Sequence, residues 1–390
     1  MPDIRWTLAF SERHFRFTEP FIRVCTKKMK KTYDLNVLKR TSIITPDQLR
    51  EEFPMTEEAT QTVIESRREI EDILSGRDKR LLIITGPCSI ISERQALRYG
   101  ELLAGLQKKV KSKMKLVMRV YFEKPRTNIG FKGLISDPQI DKKTFDIDEG
   151  LRKARRILMG INELGIAIGT EILSQTAAER LSGLISWACI GARTTESQNH
   201  REWASAFSMP VGFKNGTDGN LDTAINALLA ASTPQVFVGN DPFGVTTRVF
   251  SKGNKYCHVV LRGGKRPNYD PVSISEACRM LAKHPSLIQS VIVDCSHKNS
   301  GKDYRKQKEV FNHVLIQRRG HSNGIRIQPN EAICGMMLES NVEEGKQPFV
   351  YGETQKKDLN PYLSITDACI GWNETEDIIL SAHQQLSADL

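Results

Sequence analysis

Nine residues of this chain pair a reactive side chain with a place at or just beyond the end of a short apolar run. They are Cys88, Arg119, Glu171, Arg193, Lys214, Arg262, His297, Glu339 and Asp367. Four of the nine are cationic, which folding alone does not ask for, because an arginine or lysine buried without a partner costs free energy. Arg193, Lys214 and Arg262 have the chemistry to close on one small dianion such as a phosphate: arginine gives paired hydrogen bonds and lysine a mobile point charge. Arg119 leads into YFEKPRTNIG, where Lys124, Arg126 and Thr127 form a second basic cluster in a loop stiffened by Pro125. Two anion sites at one mouth imply two phosphorylated substrates or one bisphosphate. Gly216, Gly263 and Gly264 are expected to let the backbone approach such ligands closely.

The remaining set, Cys88, His297, Glu339 and Asp367, offers a sulfur, a nitrogen and two carboxylates. No spacing identifies these residues as metal ligands. Mixed ligation of this kind suits a divalent metal ion such as Mn²⁺, Fe²⁺, Co²⁺ or Zn²⁺. Ordinary readings stay open beside it: a buried thiol, a residue at a helix start, a loop acid and an N-cap. His200, in TESQNHREW, reads as helical, with either a local hydrogen bond or a catalytic task. Trp187, Trp203 and Phe207 read as packing.

The elements that must carry these residues follow from the pattern of apolar runs. Strands are expected at 81–85, 115–122, 166–172, 185–192, 209–213, 258–263, 290–295 and 332–339, with amphipathic stretches such as 93–110 and 148–165 between them. Buried runs alternating with helices imply parallel strands in right-handed βαβ units. Eight of them predict an α/β fold, a (β/α)8 TIM barrel, which places its chemistry at the C-terminal ends of its strands. The segment near 234–253 adds a hairpin between the fifth and sixth barrel strands. Residues 45–80 form a helical extension, with Thr45 as N-cap, Pro46 at the first helical position, and Ile64, Ile70 and Ile73 on the apolar side of a second helix. The chain thus divides into an N-terminal arm (1–44), that extension (45–80) and the barrel (81–390).

Composition sets limits. Of 390 residues, 39% are hydrophobic and 26% charged, ordinary values for a soluble globular protein. No run approaches the roughly 18 apolar residues of a membrane span, so no membrane partner is expected. The net charge is +10, but residues 1–40 hold ten Lys/Arg against four Asp/Glu, while residues 341–390 hold three against nine. A uniform nucleic-acid surface is therefore not implied, and KKVKSKMK (108–115) has no interleaved aromatic. Eight cysteines without a CxxC pair fit reduced thiols and a cytoplasmic location. The opening residues are broken by charges and lack a secretory h-region; Met29 begins a more ordinary start, which makes residues 1–28 an extension dispensable for chemistry.

Eight blocks are specific enough to name a family. GPCSI (86–90), MRVYFEKPRTNIGFKGLISDP (118–138), IGARTTESQNHRE (190–202), PVGFKNGTDGN (210–220), LRGGKRPNYD (261–270), DCSHKNS (294–300), LESNVEEG (338–345) and SITDACIGW (364–372) together resemble class I 3-deoxy-D-arabino-heptulosonate 7-phosphate (DAHP) synthase. The resemblance implies condensation of phosphoenolpyruvate with D-erythrose 4-phosphate in a metal-dependent barrel, with homo-oligomers (dimer or tetramer) expected. It places metal ligation on Cys88, His297, Glu339 and Asp367. Phosphoenolpyruvate falls to Arg119, Lys124, Arg193, Lys214 and Arg262, with Glu171 nearby, and the erythrose 4-phosphate phosphate to Arg126 and Thr127. Lys124 and Glu171 are the candidates for handling the water proton, so the catalytic set is Lys124, Glu171, Cys88 and His297. Departures from the usual pattern, Ile91-Ser92-Glu93, Asn128 and Phe131, remove no ligand.

The hairpin VFVGNDPFGV and the arm resemble the family's feedback site for an aromatic amino acid. Gly239 stands where phenylalanine-regulated relatives tend to carry Ser and tyrosine-regulated ones Gly; Ser208 also matches the effector pocket. Tyrosine is the expected effector. Two other readings remain: a sugar-acid synthase acting on another aldose phosphate such as arabinose 5-phosphate, and a catalytically dead barrel kept as an effector sensor.

Overall fold

The computed structural model describes residues 30–126, 130–322, 325–326 and 328–388. The chain divides into two compact units, 1–42 and 43–390. The described residues of the first, 30–42, contain neither helix nor strand, and Arg40 pairs with Asp34 there. Most of the basic opening, together with the start at Met29, lies outside the described residues.

The second unit opens with two helices. α1 (Pro46–Glu52) starts as the sequence predicts: the Thr45 hydroxyl accepts from the Gln48 amide while the Gln48 side chain accepts from the Thr45 amide. This reciprocal pair satisfies two donors that a helix start otherwise leaves open. α2 (Glu57–Leu74) buries Ala59, Val63, Ser66, Ile70, Ile73 and Leu74. Ile64 is 59% exposed, which corrects the expected apolar face: the buried stripe runs through Val63, one residue earlier, at the spacing a 3.6-residue period requires.

Eight strands then close a parallel barrel: β1 (Leu81–Gly86), β2 (Met114–Arg119), β3 (Ala167–Glu171), β4 (Trp187–Ile190), β5 (Val211–Lys214), β8 (His258–Leu261), β9 (Val291–Asp294) and β12 (Ile333–Glu339). Each falls on an expected apolar run. The gaps in that numbering are filled by the hairpin β6 (Val236–Asn240) with β7 (Thr246–Phe250), between the fifth and sixth barrel strands, and by the ribbon β10 (His321–Ser322) with β11 (Ile325–Arg326). The first and last barrel strands meet in parallel, from Leu82 opposite Gly335 to Gly86 opposite Glu339. Closure brings Glu339 beside the start of the GPCSI block.

Between the strands run α3 (Glu93–Val110), α4 (Ile147–Glu163), α5 (Gln175–Leu181), α6 (Gln198–Ala206), α7 (Asp222–Ala231), α8 (Pro271–Ala282), α9 (Gln307–Arg319) and α10 (Trp372–Ala388). Their apolar faces and the outward strand residues make one core. The barrel interior is a second cluster of Leu82, Ile84, Val117, Trp187, Val260, Ile292 and Met337, joined by Ile70, Ile73 and Leu74 of α2. The helical extension therefore forms the floor of the barrel, leaving the C-terminal ends of the strands as the open mouth. No described helix is long and apolar enough to cross a membrane.

Candidate active site

The mouth is built by loops that begin where the strands end. One cleft of about 410 Å³ is lined by Lys124, Pro125, Arg126, Glu171, Arg193, Lys214, Arg262, His297 and Asp367, among others. Residues spread over more than 240 positions of sequence thus share one cavity, because parallel strands end on the same face.

Glu339, Cys88 and Asp367 form its deepest corner. Their ligand atoms all lie within 4.8 Å of one another; Cys88 and Glu339 are buried and Asp367 is exposed. Cys88 Sγ is 3.7 Å from an Asp367 oxygen. His297 Nε2 stands 3.8 Å from Glu339 Oε1, at the edge of the group. Burial and the Glu339 charge push the Cys88 thiol pKa up, although Lys124 works against them. A divalent cation there would reverse that balance and take the thiolate. The donors fit: one soft sulfur, one imidazole and two carboxylates converge, and two like charges meet in a space where a cation would relieve their repulsion. His297 has φ +55°, left-handed for a residue with a Cβ, and so turns its ring toward the mouth immediately after β9.

The cations are held from behind. Arg119, only 1% exposed, donates from Nη2 to Glu339 at 3.0 Å, while its Nε and Nη1 have no partner among the described residues. An orphaned, fully buried guanidinium edge points to an absent anionic ligand. Lys124 donates to the Cys88 carbonyl at 2.8 Å and approaches Sγ at 3.1 Å. Burial works against its charge, but Cys88, Glu339 and Glu171 outweigh it and raise the pKa. Lys214, also buried, donates to Asp294 at 2.8 Å. Burial and the adjacent Arg193 lower the pKa of Arg262, as expected for neighbouring cations awaiting a shared anion.

Two arginines sit at the rim. Arg193 is exposed and reaches across to the Pro125 carbonyl at 3.2 Å. Arg126 is exposed and donates from Nε to the Phe131 carbonyl at 2.7 Å. Thr127, with Asn128, lies outside the described residues. Glu171 lies against the bare Cα of Gly191, where a Cβ would fall 2.0 Å from its Oε1.

The expected role of the glycines needs correction. A Cβ on Gly264 would sit 2.2 Å from the Gly219 backbone, and one on Gly263 (φ +74°) 2.8 Å from Asn299 and Lys298. These glycines let mouth loops pack against one another; at Gly216 a Cβ would meet Asp218, again a loop neighbour. Asn215 ties the same loops, accepting from the Arg262 amide at 2.9 Å and the Asn268 side chain at 3.1 Å.

His200 is buried on α6, with Nδ1 2.9 Å from the Ser197 hydroxyl and its ring 4.6 Å from that of Trp203. Trp187 packs at the barrel centre and donates to His258 at 3.1 Å. Away from the mouth, the hairpin β6–β7 rests on α5. Asn240 takes both oxygens of Glu179, at 2.9 and 3.0 Å. Gly239 is buried, and a Cβ there would meet Val249 at 2.8 Å and Gln175 at 3.0 Å. Ser208 is exposed in the loop after α6.

Two buried residues escaped the sequence reading. Gln307 brackets Glu339, accepting from its amide at 2.7 Å and donating to its carbonyl at 3.0 Å. Asp294 holds Lys214 and lies 2.8 Å from His297 Nδ1. Its one visible signal was an acid closing the apolar run SVIVD.

A closed (β/α)8 barrel with a cation-lined mouth and a convergent Cys/Glu/Asp group defines the class: a barrel enzyme for anionic substrates whose donors can hold a divalent metal. Comparison with known proteins makes this specific. The profile of the DAHP synthetase I family matches residues 52–380. The chain is 44% identical over 348 residues to the Tyr-sensitive phospho-2-dehydro-3-deoxyheptonate aldolase of Escherichia coli K12, covering 89% of this chain and 94% of that one. It is 44% identical over 351 residues to a Trp-sensitive one of E. coli O157:H7, covering 90% and 97%. A solved aldolase of the same name from Francisella tularensis SCHU S4 superimposes with a TM-score of 0.84 at 36% identity, covering 91% of this chain and all of that one. The chain belongs to the DAHP synthetase I family, and it is an enzyme of the first step of aromatic biosynthesis.

Proposed function

We propose that this mouth joins phosphoenolpyruvate to D-erythrose 4-phosphate and water, giving 3-deoxy-D-arabino-heptulosonate 7-phosphate and inorganic phosphate. The observation that carries the assignment of sites is the buried Arg119, with two guanidinium nitrogens unpartnered and Lys124 within its field, behind a cleft lined by Lys124, Lys214 and Arg262. Arg193, Lys214 and Arg262 hold the phosphate of phosphoenolpyruvate; Arg119 and Lys124 hold its other end. Arg126, with Thr127, takes the phosphate of the aldose at the rim. A divalent ion held by Cys88, His297, Glu339 and Asp367 would supply Lewis acidity to the aldehyde oxygen, with Mn²⁺, Fe²⁺, Co²⁺ or Zn²⁺ as suitable ions.

The chain's own groups do the rest. Two dianions fixed at opposite ends of one cleft bring the enol carbon and the aldehyde carbon together, and such positioning supplies much of the rate. As the new bond forms, positive charge develops at C2 of the enol ether, and water adds there. Glu171 and Lys124 are the groups placed to handle its proton. Arg193, Lys214 and Arg262 then stabilise the phosphate as its bond to C2 breaks.

For regulation, the reading is that tyrosine binds near Gly239 and Ser208. Gly239 supports it: it is buried against Val249 and Gln175, where a side chain would crowd the site. The outward apolar side chains of the hairpin, Val236, Val238 and Phe250, support a homo-oligomer. The chain is placed in the cytoplasm, with residues 1–44, 45–80 and 81–390 as arm, extension and catalytic barrel.

The deciding experiment follows loss of phosphoenolpyruvate with erythrose 4-phosphate or arabinose 5-phosphate as the aldose. Consumption only with the former is expected. Preference for the latter sinks the substrate assignment, and no turnover with either supports the sensor reading.

A further inference from the structure

Asp294 is a fully buried acid at the mouth that the reaction above leaves without a task. It closes β9 at 0% exposure. Its Oδ2 lies 2.8 Å from Lys214 Nζ and 2.8 Å from His297 Nδ1. Its Oδ1 accepts from the Ser296 amide at 3.1 Å and the Ser296 hydroxyl at 2.6 Å. One carboxylate oxygen is therefore shared between a cation of the phosphate site and a ring of the metal site.

We propose that Asp294 is a positioning residue that couples these two sites, so that an anion on Lys214 tightens divalent-metal binding at His297, and the metal tightens the anion. The inference rests on the reading above that Lys214 binds phosphate and His297 binds metal. The reasoning is local. A phosphate arriving at Lys214 draws the ammonium toward itself and relieves Oδ2 of one of its two donors. The freed negative charge falls on His297, whose Nδ1 lies 2.8 Å from Oδ2 and 2.7 Å from the Ser296 hydroxyl; a proton held on Nδ1 leaves Nε2 bare, and the added charge makes that nitrogen a stronger ligand. Ser296 keeps Asp294 from swinging away, since it occupies the other oxygen. Coupling of this sort is reciprocal by thermodynamic necessity, and factors of about 5 to 150 are usual.

The test measures Mn²⁺ affinity by the loss of free-ion electron paramagnetic resonance signal, with and without saturating inorganic phosphate. It uses the full chain as wild type, Asp294→Asn and Ser296→Ala. Direct attraction between phosphate and metal survives in all three, so the comparison isolates the bridge. In wild type, phosphate should tighten Mn²⁺ by about fivefold or more. Asp294→Asn keeps the shape but loses the charge, and should hold that factor to about twofold, while Ser296→Ala retains most of it. An Asp294→Asn chain with the wild-type factor overturns the coupling while leaving the site assignment standing. A wild type that binds neither Mn²⁺ nor phosphate overturns both. If Asp294→Asn does not fold, the wild type decides by ¹⁵N resonances of its histidines. Phosphate added to the metal-free chain should shift the Nδ1 signal of His297, and an unmoved signal overturns the proposal.

Discussion

The mouth and the hairpin invert each other's burial. At the mouth, charged groups are buried and apolar ones are scarce: Arg119, Lys214, Asp294 and Glu339 all lie under 5% exposed, each cation against an acid. On the hairpin, apolar side chains stay open: Val236, Val238 and Phe250 are more than half exposed, while Asn240 and Gly239 meet α5. Burying charge is costly unless it is paired, so most of the mouth is wired before any ligand arrives, with Arg119 Nε and Nη1 left open for an anion. An exposed apolar strand face has no such network: Val236, Val238 and Phe250 have no charge or polar partner among the described residues to hold them. One region is organised around paired charge; the other leaves apolar side chains open.

The largest effect should come from breaking the mouth's network at its centre. Removal of metal by a chelator is expected to cut turnover by about 100-fold or more, the scale on which positioned catalytic groups act, with recovery on adding Mn²⁺ or Fe²⁺. Full activity in a preparation shown to be metal-free would remove the metal from the mechanism. Next come the anion contacts. Arg262→Ala should raise the KM for phosphoenolpyruvate roughly 30- to 150-fold, the loss of one buried charge-assisted contact at about 2–3 kcal/mol. Arg126→Ala should raise mainly the KM for erythrose 4-phosphate, and by less, because its exposed charge is screened. Equal changes for both substrates in both variants would contradict the two-site division.

The hairpin is probed at Gly239. Tyrosine should inhibit more strongly than phenylalanine or tryptophan, and Gly239→Ser should move the preference toward phenylalanine by about tenfold, the effect of crowding or leaving unpaired one polar group. Uninhibited turnover should stay near wild type, since the hairpin is outside the mouth. Initial rates titrated with each amino acid settle it; a wild type most sensitive to phenylalanine rejects the assignment.

A last effect, on stability, lies between the two regions. Glu123 precedes Lys124 and shares a small apolar cavity with Glu171 and the α5 residues Ala177, Ala178 and Leu181. Burial, with the Glu171 charge adding to it, pushes the Glu123 carboxyl up to about 7. The folded chain then binds a proton that the unfolded chain releases near the ordinary carboxylate value of 4.5. Stability should therefore fall as pH rises from about 4.5 through about 7, by up to about 3 kcal/mol. Glu123→Gln should flatten that stretch of the urea-midpoint profile; an unchanged slope would show that Glu123 titrates normally.

How far the molecule could be read in advance differs between the same regions. The strands were legible because runs such as LLIIT and SVIVDC are buried on both faces, and parallel strands advertise that in composition. Strand ends were legible too, which is how Glu339 and Lys214 stood out. Their partners were not. Asp294 is 80 residues from Lys214 and meets it only because β5 and β9 flank β8 in a closed barrel. The glycines misled for a related reason, since a close approach is visible in the residue type but its partner is not. Ile64 misled because the buried stripe of α2 takes in Val63 but stops short of its neighbour, and only the packed floor sets that edge. At the hairpin, the position of the strands was plain, whereas exposure of Val238 depends on what a single chain leaves uncovered.

The barrel floor has a consequence for how the chain is made. Ile70, Ile73 and Leu74 leave the ribosome before any wall of the barrel exists, and β1 follows almost at once. The partner that closes β1 is β12, roughly 250 residues later, a delay on the order of 10–50 s at ordinary rates of translation. Throughout that interval an apolar helix face and an open strand edge are presented to the crowded cell, and contacts of such long sequence separation form slowly even after synthesis. The yield of native enzyme should therefore depend on chaperone supply more steeply than its finished stability would indicate.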